Sequence, residues 1–173
     1  MEFIVLSKEQ KKQYEKEIVE MMKVSDEDFV PPLSHRKSTT QTDLSFGEGS
    51  IDGLYSYFNE MVKQEILGFF DDDTLLGFVS FKENYLTNEI KNTPNIYLST
   101  LILKPEARGK NLTFKAYDYL FNVLYPKVSI YTRTWSTNFA HIKILSKFNF
   151  ELLLRKPNDR GEGIDTVYFC LER

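Results

Sequence analysis

Apolar and polar positions along this chain repeat with periods that switch every few residues, and each switch marks an element. Phe3 to Leu6 is a short apolar run, the pattern of a strand. Ser7 with Gln10 three positions on forms a capping-box pattern. Tyr14, Ile18, Met21 and Met22 follow at helical spacing and predict one amphipathic helix over residues 8–23. Pro31 and Pro32 cannot continue a helix. Ser50 is a good N-cap for the cleanest stripe in the chain, Ile51, Leu54, Tyr55, Phe58, Met61 and Val62, which predicts a core-facing helix.

Ile66 to Phe70 and Leu75 to Phe81 are strand-like, and the polar tip Asp71 to Thr74 joins them as a hairpin. Glu83 to Pro94 reads as a polar loop. The next strand centres on Leu101, Ile102 and Leu103, and Pro105, which has no N–H for a ladder, ends it. A helix is expected from about Asn111, with Leu112, Ala116, Leu120 and Leu124 on one side, until Pro126 stops it. Val128, Ile130 and Tyr131 open a strand reaching Trp135. Ser136 to Asn138 can cap a helix from Phe139 to Phe148, and strands follow at Phe150 to Leu154 and Thr166 to Leu171. This order implies a mixed α/β chain with one central sheet.

At 173 residues the length fits one domain, and 42% apolar residues suffice for a full core. Fourteen Phe and ten Tyr imply an aromatic-rich core or cleft. A formal net charge of -3 argues against nucleic-acid binding as the main task. A single cysteine, Cys170, excludes an internal disulfide and points to a reducing compartment, so a cytoplasmic location is expected. Cys170 itself reads as strand filler. The N-terminus lacks the basic region of a signal peptide, and no apolar run approaches the ~20 residues of a bilayer span, so no membrane partner is expected. Asp71, Asp72 and Asp73 have no further ligands at useful spacing, and no metal is expected.

Two stretches carry chemistry. Arg108, Gly109 and Lys110 present backbone amides and positive charge at a helix start, where an anion, most often a phosphate, can sit. The competing reading is an ordinary strand-to-helix turn whose basic residues touch water. Ser34 to Asp43 is polar, hydroxyl-rich and locally basic through His35 and Arg36, and is flanked by Phe29, Leu33, Leu44 and Phe46. Such a loop serves either as a ligand contact or as plain surface.

The element order and two blocks of residues resemble the GNAT (GCN5-related N-acetyltransferase) superfamily. The first block, Leu101 to Thr113, is similar to the family's acetyl-CoA motif, in which an apolar strand, a Pro and Arg-Gly-x-Gly-x-Gly/Ala lead into a helix. The second, Thr137 to Phe150, is similar to a later block in which an Asn starts a helix ending in Lys-x-Gly-Phe. The resemblance implies a single N-acetyltransferase domain over 1–173 with a mostly antiparallel sheet of about seven strands and about four helices. It implies an enzyme that moves an acetyl group from acetyl-CoA, as co-substrate, to a primary amine of a small molecule or peptide.

It also implies site residues. Leu101, Ile102 and Leu103 lend backbone to the pantetheine arm. Arg108, Gly109, Lys110, Asn111, Leu112 and Thr113 hold the pyrophosphate, and Asn138 reaches the thioester side. Asn111 and Thr113 replace two motif glycines; Asn tolerates left-handed backbone angles best after Gly, and Thr113 offers a hydroxyl. The family's frequent general-acid Tyr falls on Leu145, and the Gly before the closing Phe is Asn149. His141 shares a helix face with Asn138 and Leu145 and is one candidate acid or base, set against a packing role. Glu83 is a second, acting through water. The acceptor-side segment, roughly Phe29 to Ser50, makes His35 and Arg36 candidates for substrate binding. Transfer of another acyl group, or a non-catalytic acyl-CoA-binding or protein-interaction module, are the alternatives, and a homodimer is left open.

Overall fold

Ser7 starts the first helix as its pattern predicts: its hydroxyl accepts from the Gln10 N–H at 3.2 Å, and Gln10 Oε1 accepts from the Ser7 N–H at 2.9 Å. The computed structural model describes residues 1–42, 44 and 48–173. Its strands are β1 (Glu2–Val5), β2 (Glu65–Asp71), β3 (Thr74–Glu83), β4 (Asn95–Leu103), β5 (Ser129–Trp135), β6 (Glu151–Lys156) and β7 (Thr166–Leu171). Its α-helices are α1 (Lys8–Gln13), α2 (Glu15–Val24), α3 (Ile51–Met61), α4 (Leu112–Tyr119) and α5 (Phe139–Lys147). The strands form one sheet in the order β1-β2-β3-β4-β5-β7-β6. The β1–β2, β2–β3, β5–β7 and β6–β7 pairs are antiparallel, and β4 runs parallel to β5 through Asn95–Leu98 against Ser129–Thr132.

The chain divides into two compact units, Met1–Phe81 with Ser99–Lys110 and Lys82–Leu98 with Asn111–Arg173. In the first, Ile18, Met22, Leu33, Met61, Ile66, Phe78 and Ile102 are almost wholly buried in one apolar core. The single helix expected over 8–23 is two, because Tyr14 (φ -93°, ψ 8°) leaves helical geometry between them. The apolar spacing runs through this break because the Tyr14 ring packs edge-on against Phe70, with centroids 5.3 Å apart.

Helix α3 begins where Ser50 Oγ accepts from the Gly53 N–H at 2.9 Å. It buries Leu54, Tyr57, Phe58 and Met61. Ile51 and Tyr55, read from spacing as core positions, are 55% and 42% exposed. Tyr57 takes the inner position instead, its hydroxyl paired with Thr100 Oγ1 at 2.6 Å.

In the second unit Ile90, Tyr97, Tyr131 and Cys170 form one buried cluster. Phe114 stacks on Phe148 at 4.7 Å, and Phe121 meets Phe148 edge-on at 5.3 Å. The helix expected to reach Leu124 ends as an α-helix at Tyr119 and continues as a π-helical turn, Leu120–Leu124. The Tyr125 N–H closes that turn onto the Leu120 carbonyl at 3.0 Å. Among the described residues, no helix is long and apolar enough to cross a membrane.

Candidate functional site

The segment after β4 is built by local turn chemistry. Pro105–Ala107 form a 3-10 turn, closed by Ala107 N–H to Lys104 O at 2.9 Å and Arg108 N–H to Pro105 O at 3.2 Å. Gly109 then takes φ +73°, and a Cβ there would meet nothing within 4 Å. The position therefore demands glycine for its backbone angle and not for space. In the second unit, Asn111 stands at φ 59°, ψ 20°, the left-handed region that Asn tolerates best among residues with a side chain. Asn111 is the N-cap of α4, and among the described residues no side-chain hydrogen bond caps that helix end. An N-terminus left in this way keeps amide donors and the positive end of the helix dipole for an anion. Leu112 and Thr113 are buried at the start of α4, and Asn111 is exposed.

On β4, Ile102 is buried in the first unit's core, while Leu101 and Leu103 are half-buried. A Cβ on Gly77 of β3 would lie 2.6 Å from the Ile102 carbonyl and 2.5 Å from Leu103 Cδ2, so glycine lets β3 approach this strand. The exposed Lys110 stands beside Gly109, but Arg108 turns its side chain back into its own unit. Its Nη2 donates to Asp28 Oδ2 at 2.8 Å and Ser25 Oγ at 3.1 Å, and its Nε donates to the Leu103 carbonyl at 3.3 Å. Lys104 is likewise paired, 3.6 Å from Glu17 of α2.

Of the candidates in the second unit, Asn138 caps α5: its Oδ1 accepts from the His141 N–H at 3.3 Å, and its Nδ2 donates to Thr134 Oγ1 at 3.0 Å. His141 Nε2 lies 2.9 Å from the Tyr117 hydroxyl. Burial pulls the imidazole down to about 4 and pushes the Tyr117 phenol up. His141 is therefore neutral near pH 7, with its Nε2 engaged by a core tyrosine. Leu145, one turn further along α5, is fully buried. Glu83 is exposed at the end of β3 and accepts a short hydrogen bond from the Tyr125 hydroxyl, at the close of the π-helical turn.

The polar loop of the first unit is more tied than its composition suggests. Arg36 is buried, its Nε donating to the Pro31 carbonyl at 2.9 Å and its guanidinium 5.5 Å from the Phe29 ring centre. His35 packs beside Gly49, where a Cβ would sit 2.4 Å from His35 Nε2. His35 Nδ1 is buried with no hydrogen-bond partner among the described residues. Asp43, the end of the expected polar stretch, and Phe46, one of its apolar flanks, lie outside the described residues.

A polar chain through Gln64 has no spacing pattern of its own in the sequence. Buried Gln64 donates through Nε2 to Thr39 Oγ1 at 2.6 Å and accepts from Ser99 Oγ at 2.5 Å. Ser99 Oγ also meets Ser80 Oγ at 2.8 Å. This chain of four polar side chains joins the 34–42 loop to β3 and β4. The one available signal was Ser99 and Thr100 interrupting an otherwise apolar central strand.

No curated protein matches the chain. Among solved structures it is similar to yncA of Salmonella typhimurium, solved with its cofactor acetyl-CoA, at 14% identity and a TM-score of 0.65, over 99% of this chain and 92% of that one. It is similar to an N-acetyltransferase of Staphylococcus aureus Mu50 at 16% identity and a TM-score of 0.64, over 99% of both chains. It is similar to aminoglycoside 6'-acetyltransferase type Ii at 13% identity and a TM-score of 0.68, over 99% of this chain and 97% of that one. The family model described as acetyltransferase (GNAT) family matches residues 20–150, which take in β4, the 104–111 turn, α4 and α5, and the chain belongs to that family.

Proposed function

We propose that this chain transfers an acetyl group from acetyl-CoA to a primary amine of a small molecule or peptide. The observation that carries this reading is the start of α4: among the described residues no side-chain hydrogen bond caps it, and it stands behind left-handed backbone at Gly109 and Asn111. The amides from Arg108 to Thr113 are assigned to the pyrophosphate, with the helix dipole favouring its charge. The backbone of Leu101, Ile102 and Leu103 is assigned to the pantetheine arm. With its carboxamide spent on Thr134 and the His141 amide, Asn138 acts as the brace of α5.

In the reaction the amine nitrogen forms a bond to the thioester carbon and the carbon–sulfur bond breaks. The amine loses one proton and the departing thiolate gains one. Glu83 is the proposed base, accepting the amine proton through water, with the Tyr125 hydroxyl holding its carboxylate. Holding two reactants in line supplies much of the acceleration, so a weak base suffices. His141 is assigned to packing, because its nitrogen is engaged and its basicity is low.

The test is calorimetric titration of acetyl-CoA, followed by detection of free thiol with a panel of primary amines. Stoichiometric binding and amine-dependent thiol release are expected. Absence of binding at millimolar acetyl-CoA refutes the reading. Buried Leu145, at the position where the family often carries a tyrosine acid, favours a second reading, a module that binds the carrier without chemistry. Binding without thiol release across the panel selects it.

A further inference from the structure

The side chain of Arg108 points away from the work its motif position suggests. Two N–H groups on its Nη2 and the one on its Nε are engaged at the surface by Asp28, Ser25 and the Leu103 carbonyl. Asp28 belongs to the 3-10 turn that follows α2, Asp26–Asp28, and Ser25 is the residue that caps its start. The same turn holds the loop that follows it, since Asp26 accepts from the Ser34 N–H at 2.8 Å and from the Ser34 hydroxyl at 2.6 Å. Ser34 is gripped from its other side as well. Its carbonyl accepts from the Ser50 N–H at 3.4 Å, and a Cβ on Gly53 would lie only 2.1 Å from that oxygen. His35 and Arg36 come next, their N–H groups bonded to the Pro32 and Leu33 carbonyls.

We infer that Arg108 is a positioning residue that ties the end of β4 to the Asp26–Asp28 turn and, through Asp26 and Ser34, fixes the 33–36 segment. The inference rests on the reading above, in which the amides after Arg108 take the carrier and the 33–36 segment faces the acceptor. In it the guanidinium organises the acceptor side and leaves the phosphates to the backbone. The pairing of Lys104 with Glu17 is a second tie of the end of β4, to α2.

The experiment uses the whole chain with Arg108→Met, Arg108→Lys, Asp28→Asn and the Arg108→Met/Asp28→Asn pair. Coenzyme A affinity is measured by calorimetry at low and moderate salt, and amide hydrogen exchange is followed at Ser34, His35 and Arg36. Expected is a severalfold faster exchange at these amides in Arg108→Met and in Asp28→Asn, no further increase in the pair, and partial restoration in Arg108→Lys. The salt dependence of coenzyme A affinity in Arg108→Met is expected to match that of the parent. Unchanged exchange in both single variants overturns the inference, as does a flattened salt dependence with a tenfold loss of affinity, which places the guanidinium on the phosphates. A parent chain that binds no coenzyme A overturns the proposed function instead, and the exchange comparison still decides whether the tie exists.

Discussion

His141 shows what burial does to a single side chain. Its value falls from 6.5 to about 4 because desolvation penalises the imidazolium. As pH drops below 6.5, the unfolded chain takes up the proton first, so stability is full above that pH and declines toward pH 4. The loss is at most about 3 kcal/mol. Urea midpoints of the parent and His141→Gln at pH 7.5 and 4.5 check this: the variant should lose less stability on acidification, and equal losses would exclude a half-buried imidazole held neutral by desolvation. Gly109 makes the complementary case, because its surroundings are empty and only its backbone angle is demanding. Gly109→Ala is expected to cost about 1–2 kcal/mol from left-handed strain, and to weaken acetyl-CoA binding as the loop distorts. Calorimetry and chemical unfolding on the same variant separate the two effects.

At the scale of elements, β3 and β4 depend on a missing side chain. Gly77→Ala drives a methyl into the Ile102 carbonyl and Leu103, and is expected to lower stability by about 1–3 kcal/mol. It should also displace the backbone assigned to the pantetheine arm, so acetyl-CoA affinity falls by more than in a control variant of equal instability. Much of this layer was legible in the sequence. Ser7 and Ser50 announced their helices, Pro105 ended a strand, and the apolar runs of β2, β3, β4, β5 and β7 stood out because packing requires them, whereas Leu152 and Leu153 of β6 are 54% and 44% exposed. What stayed hidden did not disturb periodicity. Tyr14 interrupts a helix while keeping its apolar spacing, and the π-helical turn continues a stripe that Leu120 and Leu124 had already suggested. Of the candidate site, the left-handed backbone at Gly109 and Asn111 is what the sequence pointed to. The pairs Arg108–Asp28 and Tyr117–His141 join residues 80 and 24 positions apart, and no local pattern connects them.

For the molecule as a whole, charge works against the proposed ligand. The chain carries a net charge of -3, and two cations flanking the 104–108 turn are already paired with Glu17 and Asp28. Capture of an anionic carrier then depends on short-range amide contacts more than on long-range attraction. Binding to the folded state alone stabilises it by about 2.7 kcal/mol at a hundredfold excess over Kd. For a chain of this length that corresponds to a rise in Tm of roughly 5–10 °C. A thermal melt against increasing acetyl-CoA reads it directly, and a flat response at saturating ligand would rule out a folded-state site.

The four-membered polar chain through Thr39, Gln64, Ser99 and Ser80 has a consequence for engineering. Anyone grafting a foreign sequence onto residues 34–42 inherits a carboxamide whose outer partner was the Thr39 hydroxyl. A graft that omits a polar atom at that spot strands a buried N–H at a cost of about 1–3 kcal/mol. The exchangeable cassette therefore extends beyond the surface segment to position 64.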